Sequence, residues 1–267
     1  MDDVVLYDKR DGIATITLNR PDRMNAWTGQ LSDALRAYLG EADGDDEVVV
    51  VVITGAGKAF CAGADLGDGE SGFLPVSGDD DGRPRLWPYE VRKPVIAAVN
   101  GHAVGVGITF AMLCDIRIVS EDAKVQYAMV RRGVVPELAS HVILPRVIGF
   151  SQAAELMLTG RMMSGAEAAE LGLASRAVPS ADVLPEAIAL AAEMVRDASP
   201  VALAVSKQLL WQGVTASVDE MLRREGRVIE AIARMPDAVE GVTAFFERRN
   251  AAWSGSVNDS ADELLRR

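Results

Sequence analysis

The chain has 267 residues, 49% of them hydrophobic, and its 27 basic and 39 acidic side chains leave a formal net charge of −12. That length and apolar content suffice for a full core, in one large domain or a domain with a small appendage, while the acidic balance disfavours nucleic-acid backbones. No run approaches the roughly 18–20 apolar residues of a membrane span, the start MDDVVLYDKR has no signal-peptide core, and Cys61 and Cys114 form no CxxC pair, so the expectation is a cytoplasmic protein with neither a disulfide framework nor a metal site.

Residues 4–7 and 13–18 are short β-type runs joined by Asp11-Gly12, a hairpin signal. Asn19-Arg20-Pro21 ends the second run. Thr28 is placed to cap a helix over residues 29–39, with Leu31, Leu35 and Leu39 on one face. Residues 48–53 form a continuous β-branched run, expected as a strand buried on both faces. A turn of small residues follows, GAGKAFCAGADL over 55–66. Residues 67–85 are rich in Gly, Asp and Ser and are expected to form a long mobile loop, as a lid or wall of a site.

The next strand is expected over 95–99, a short apolar run between Pro94 and Asn100-Gly101. Gly101, Gly105 and Gly107 punctuate the turn behind it, and residues 106–114 have helical character. A strand feeding a helix through small residues leaves the first helical amides open to a ligand; equally, glycine there lets strand and helix pack closely. Short strands over 115–119 and 125–127 complete a β, α, β, β, α, β order, the pattern of an α/β core.

Beyond Pro136 helices are expected over 137–148, 151–158, 165–171, 185–197, 201–211, 218–235 and 237–249. A boundary near residue 200 separates a core, residues 1–200, from a mainly helical region, residues 201–267, whose last residues read as frayed or helical. Met221, Met235, Phe245 and Phe246 of that region read as core or subunit interface.

Several motifs fail on inspection. GAGK at 55–58 lacks the spacing of a phosphate loop and the Ser or Thr after Lys58. Gly105-Val106-Gly107 is followed by Phe110 where a dinucleotide fingerprint needs glycine. No GxSxG elbow is present, and Ser140 and His141, as helix neighbours, do not face each other. Two small-residue turns remain, each behind an apolar strand, at 61–65 and 105–107. Amides from both, aimed at one point, would form an oxyanion hole; spacing alone leaves their convergence open.

LNRPDRMNAW at 18–27, VVITGAGKAFCAGADL at 51–66, KPVIAAVNGHAVGVG at 93–107, CDIRI at 114–118, LPRVIG at 144–149 and LTGRMMSGAEAAELGLASRAV at 158–178 occur in that order. In them the chain resembles the crotonase superfamily, the enoyl-CoA hydratase/isomerase family, over nearly its whole length. The resemblance implies an α/β fold, a spiral of ββα units, with a C-terminal helical region that builds a homotrimer or a dimer of trimers. It implies that the amides of Ala64 and Val106 hold the thioester carbonyl of an acyl-CoA. It makes the Ala62–Leu66 turn, with Asp65 inside it, the binding segment for the adenine half of coenzyme A. Arg23 and Lys58 are candidate phosphate partners; each reads equally well as a solvated charge. No cofactor is expected, coenzyme A entering as part of the substrate.

Family hydratases carry two glutamates. The position matching the first is Thr109, which can hydrogen-bond but is no carboxylate base. The segment matching the second, residues 128–132, has no carboxylate. Glu137, in RRGVVPELAS, occupies what looks like the place of the lone base in peroxisomal-type enoyl-CoA isomerases, so it is the candidate base. Its bland alternative is a helix N-terminal acid behind Pro136. His141, one helical turn on, would share its face and line the pocket. Asp65 reads more simply as a helix cap.

The expected function is therefore acyl-CoA chemistry through an enolate held by the oxyanion hole, with one glutamate moving a double bond or hydrating it. Other crotonase-type reactions (thioester hydrolysis, decarboxylation, C–C cleavage) and a non-catalytic acyl-CoA-binding or RNA-associated role are the alternatives.

Overall fold

The computed structural model describes residues 3–67 and 84–266; residues 68–83 of the loop expected over 67–85 lie outside them. β1 (Val5–Arg10) and β2 (Ile13–Leu18) pair antiparallel with Arg10 opposite Ile13. The linking residues Asp11 and Gly12 have φ of 49° and 79°, the left-handed pair that a two-residue hairpin turn demands. β2 then runs parallel to β3 (Val50–Gly55), and β5 (Val95–Val99), β7 (Ile116–Ser120) and β10 (Arg176–Val178) extend a six-stranded sheet in the order β1-β2-β3-β5-β7-β10.

A second sheet contains the short strands β4 (Ala59–Cys61), β6 (His102–Val104), β8 (Lys124–Gln126) and β9 (Met162–Ser164), in the order β4-β6-β8-β9. The chain repeats one move: a strand in the first sheet, a short strand in the second, then a return. β3 and β4, β5 and β6, and β7 and β8 are successive turns of that spiral, the α/β architecture of ββα units expected from the sequence. Of the second sheet the sequence shows only the strand near residues 125–127, because strands of three residues are too short to display a period.

β3 and β5 are buried at every residue, and strand alternation divides them between two cores. Val50, Val52, Ile96 and Ala98 meet Ala187 and Ala191 of α6 (Val183–Asp197). Val51, Ile53, Val95 and Ala97 join the larger core with Leu31, Leu35 and Leu39 of α1 (Gly29–Gly44). Thr28 caps α1, its hydroxyl accepting from the Leu31 amide at 3.2 Å. A third apolar cluster joins α7 (Pro200–Gly213), α8 (Val218–Ile232) and α10 (Val257–Arg266), with α9 (Pro236–Glu247) between the last two in sequence. Among the described residues no helix is long and apolar enough to cross a membrane.

α7 is fastened to the spiral by a polar contact. The buried Lys207 ammonium donates to the carbonyls of Pro88 at 2.7 Å and Lys93 at 2.9 Å, and pairs with Asp115 at 2.9 Å. The other Asp115 oxygen accepts from the Trp211 indole at 2.6 Å. Removing one member of a buried pair leaves the other charge uncompensated, which costs on the order of 3–5 kcal/mol. Lys207→Met is therefore expected to lower the urea midpoint of unfolding by that much stability with an unchanged slope, read by circular dichroism; a midpoint equal to wild type would show the pair to be replaceable.

Candidate active site

The first small-residue turn leaves β4 at Cys61. Gly63 has φ of 106° and a Cβ built there would lie 3.1 Å from the carbonyl oxygen of Val104, so both conformation and space call for glycine. Trp27 bridges to Ala64 in parallel fashion: the Trp27 amide donates to Gly63 O at 2.8 Å, and the Asp65 amide donates to Trp27 O at 2.9 Å. Backbone groups alternate in direction along an extended strand, so the Ala64 amide points away from Trp27. Among the described residues it makes no hydrogen bond.

The second turn leaves β6 at Val104. Gly105 has φ 56° and ψ −126° and precedes α2 (Val106–Ala111). Its carbonyl accepts from the amides of Ile108 at 3.1 Å and Thr109 at 3.2 Å. The Val106 amide, in the first turn of the helix, has no carbonyl behind it to take it up. The helix ends at Ala111, sooner than the periodicity predicts, and Met112 to Cys114 continue as turns. β4 and β6 are parallel neighbours, so both turns emerge from carboxyl ends of adjacent strands. They touch: a Cβ built on Gly107 would lie 3.0 Å from the carbonyl carbon of Cys61 and closer still to its oxygen, and one built on Gly105 would lie 3.7 Å from Gly63 Cα.

Both turns line one pocket of about 570 Å³, through Ala62, Ala64 and Leu66 on one side and Gly105 and Val106 on the other. Trp27 and Trp87 add aromatic walls, braced behind by Phe110 with ring centroids at 5.1 Å and 6.4 Å. Two charged side chains complete the lining, Arg132 and Glu137, the latter its one carboxylate among the described residues. The Arg132 guanidinium donates to Ala128 O at 3.3 Å.

Glu137 is not at a helix N-terminus. Leu138 and Ala139 have φ of 54° and 56°, and α3 begins only at Ser140 (Ser140–Ile148). The first-turn reading of Pro136-Glu137 is therefore corrected. The left-handed pair costs roughly 1–2 kcal/mol per non-glycine residue, the kind of local strain that collects at functional sites. It also turns Glu137 off the face carrying His141. That histidine is exposed and outside the lining, which overturns its expected place in the pocket.

The Glu137 side chain opens onto the pocket and meets α2 on its inner side. Thr109, wholly buried, donates its hydroxyl to Glu137 Oε1 at 2.6 Å. Glu137 as a residue keeps an exposed surface; the partial burial of its carboxyl raises its pKa above that of a solvated glutamate, and the Thr109 hydrogen bond opposes the rise. The result is a carboxyl that binds a proton more readily than a solvated one while it faces an apolar cavity.

The other expected site residues divide. Ala62 and Leu66 line the pocket. Asp65 instead pairs with Arg20 at 2.8 Å and accepts from the Gly67 amide at 3.1 Å, a contact that holds its carboxyl below the usual range. Arg23 and Lys58 are exposed and outside the lining. Among the described residues no three His, Cys, Asp or Glu side chains gather as a metal site. Sequence reasoning missed Arg20, Asn25, Trp27, Trp87 and Arg132. Buried Asn25, at φ 54°, donates to Ala56 O at 2.9 Å and Ala59 O at 2.7 Å and accepts from the Arg20 amide at 2.8 Å. It thus pins the segment before α1 to the β3–β4 turn. An Asn tolerant of the left-handed region was its only local signal.

Residues 8–256 match the family described as Enoyl-CoA hydratase/isomerase. The enoyl-CoA hydratase ACTT3 of Alternaria alternata is 44% identical over 155 residues, 57% of this chain and 52% of that protein, so the match spans about half of that relative's length. The solved structure of a probable enoyl-CoA hydratase/isomerase from Mycobacterium abscessus is 36% identical with a TM-score of 0.87, over 94% of this chain and 99% of that one. A monofunctional enoyl-CoA isomerase from M. smegmatis superimposes with a TM-score of 0.69 and 37% identity, over 82% of this chain and 98% of that one.

Proposed function

The chain belongs to the enoyl-CoA hydratase/isomerase family of the crotonase superfamily, and from that premise we propose that it moves a carbon–carbon double bond in an acyl-CoA thioester, with Glu137 as its single base. The thioester oxygen accepts hydrogen bonds from the amides of Ala64 and Val106. Glu137 removes a proton from C2 of a 3-enoyl thioester. The C2–H electrons pass into a dienolate whose charge rests on the oxygen between the two amides. The proton, now on Glu137, returns at C4, leaving the double bond between C2 and C3 and the carboxylate free again. No other reactant is consumed.

The observation that carries this reading is the shared pocket, with both small-residue turns on its walls and Glu137 as the one carboxylate of its lining among the described residues. A base with an elevated pKa suits removal of a weakly acidic carbon-bound proton. A hydratase of this family would use two glutamates, and Thr109 stands at the first of their positions. Likeness to the M. smegmatis isomerase supports the same choice; hydration is the second reading, favoured by the name of the Alternaria relative. We further propose that the exposed Arg23 and Lys58 meet the phosphates of coenzyme A, and that residues 201–267 mediate self-assembly, supported by the exposed Leu222, Ile229, Phe245 and Phe246. Two buried unpaired thiols, Cys61 and Cys114, support a reducing compartment such as the cytoplasm.

The test offers trans-3-enoyl-CoA and trans-2-enoyl-CoA separately. Bond migration is followed by the absorbance of the conjugated thioester, and water addition by product analysis. Fast migration with little hydration is expected. Hydration as the faster reaction would move the assignment to the second reading, and tight binding without turnover of either ester would overturn both and leave the other crotonase-type reactions or a non-catalytic acyl-CoA binder.

A further inference from the structure

We propose that Thr109 is a positioning residue: its hydroxyl fixes one oxygen of Glu137 against α2, so that only the other oxygen is presented to the substrate. The inference rests on Glu137 being the base and adds how that base is aimed. The side chain of Thr109 is wholly buried, one helical turn beyond Val106. Its Oγ1 lies 2.6 Å from Glu137 Oε1, against 3.3 Å and 3.5 Å from the carbonyls of Val106 and Gly105. A hydroxyl has a single proton to donate, and an O–H donor to a carboxylate sits at about 2.5–2.7 Å, so the proton is directed at Glu137.

Glu137 needs such a tether. It stands in irregular backbone, before two left-handed residues and ahead of α3, and its long side chain loses rotamer freedom when held in one orientation. The hydrogen bond joins it to the short helix whose first residue is Val106. Base and oxyanion donor are then carried by one rigid element, although they lie far apart in sequence. The contact persists through the reaction: Oε1 accepts from Thr109 both when Glu137 is ionised and when Oε2 carries the proton taken from C2. Oε2 is thereby assigned both to the removal and to the return of that proton.

The hydrogen bond favours the ionised carboxylate. Its removal makes Glu137 hold a proton to higher pH, and a protonated Glu137 is inactive as a base, so the acidic limb of the profile must move upward. Thr109→Val keeps the side-chain shape and deletes the hydroxyl; Thr109→Ser keeps the hydroxyl. In Thr109→Val the limb of kcat/KM is expected to shift to higher pH, and kcat is expected to fall at least roughly ten-fold, a fraction of what the base itself supplies, with KM for the CoA ester nearly unchanged. Thr109→Ser should restore both, and if the valine variant does not fold, Thr109→Ala reads the same limb. A superimposable profile in folded Thr109→Val, or a loss that serine does not rescue, overturns the inference. The two failures separate cleanly: a fully active Glu137→Gln enzyme removes the base, whereas an inactive Glu137→Gln enzyme beside an unmoved Thr109→Val profile removes only the positioning role.

Discussion

Glu137→Gln is expected to cut turnover of enoyl-CoA by roughly 10²–10⁴-fold while acyl-CoA binding stays close to wild type. The substitution changes little in shape. The amide oxygen of glutamine can accept the Thr109 hydroxyl as Glu137 Oε1 does at 2.6 Å, and the pocket walls formed by Trp27, Trp87 and the two turns are untouched. What disappears is the ability to take a proton. A positioned general base contributes roughly 10²–10⁴-fold, and with one carboxylate in the lining among the described residues no neighbouring group stands ready to replace it. The expected result is a loss of kcat of that size, with a CoA-ester Kd by calorimetry near that of wild type. Wild-type kcat/KM should also fall, as pH drops, at a higher pH than a solvated glutamate would give, because partial burial raises the Glu137 pKa. The residual rate of the glutamine variant should lack that limb. A glutamine enzyme with wild-type kcat would remove Glu137 from the chemistry.

Much of the frame was legible in the residues, and what was not has definable physical causes. Asp11-Gly12 and Thr28 are local instructions, and they produce the β1–β2 hairpin and the start of α1 as expected. Residues 95–99 form β5 with the expected bounds, because a short β-branched and alanine run between Pro94 and Asn100 has few other uses. β4, β6, β9 and β10 are held by pairing with distant partners, and at three residues each they leave no periodic trace. Pro136-Glu137 reads locally as a helix start; the chain instead spends Leu138 and Ala139 on a left-handed bend, a tertiary choice invisible in propensity.

The site follows the same division. Glycines at 63, 105 and 107 announce two turns, but their contact depends on β4 and β6 being neighbours in a sheet. Trp27 and Trp87, far apart in sequence, meet in one lining because both pack on Phe110. Glu137 was found by resemblance, while its link to Thr109 spans 28 residues of chain and carries no sequence signal. His141 leaves the pocket face for the same reason that Glu137 leaves the helix: the left-handed bend at Leu138 and Ala139 separates them.

Gly107→Ala should be the most damaging single methyl added near the site. Gly107 lies within α2 with ordinary helical backbone, where alanine is intrinsically the better residue by roughly 0.8–1.0 kcal/mol. Contact decides against it. The added Cβ would meet the Cys61 carbonyl oxygen well inside van der Waals distance, with the carbonyl carbon and Cβ of Cys61 at 3.0 Å. The carbonyl belongs to strand backbone and Cβ is fixed to it, so neither can rotate aside and α2 and β4 must separate. Overpacking of this kind costs about 1–3 kcal/mol. The functional loss should be larger, because Val106 precedes Gly107 and Ala64 follows Cys61 by only a short turn: the methyl acts as a wedge between the two proposed oxyanion amides. Misplacing one such donor lowers kcat by about 10²–10³-fold. Gly44→Ala supplies the comparison. Gly44 is the last residue of α1, outside residues 201–267, and a Cβ there meets nothing within 4 Å, so that variant should keep wild-type stability and kinetics. If folded Gly107→Ala turns over enoyl-CoA at the rate of Gly44→Ala, the thioester oxygen does not depend on the close approach of these two turns, and the enolate must be stabilised elsewhere.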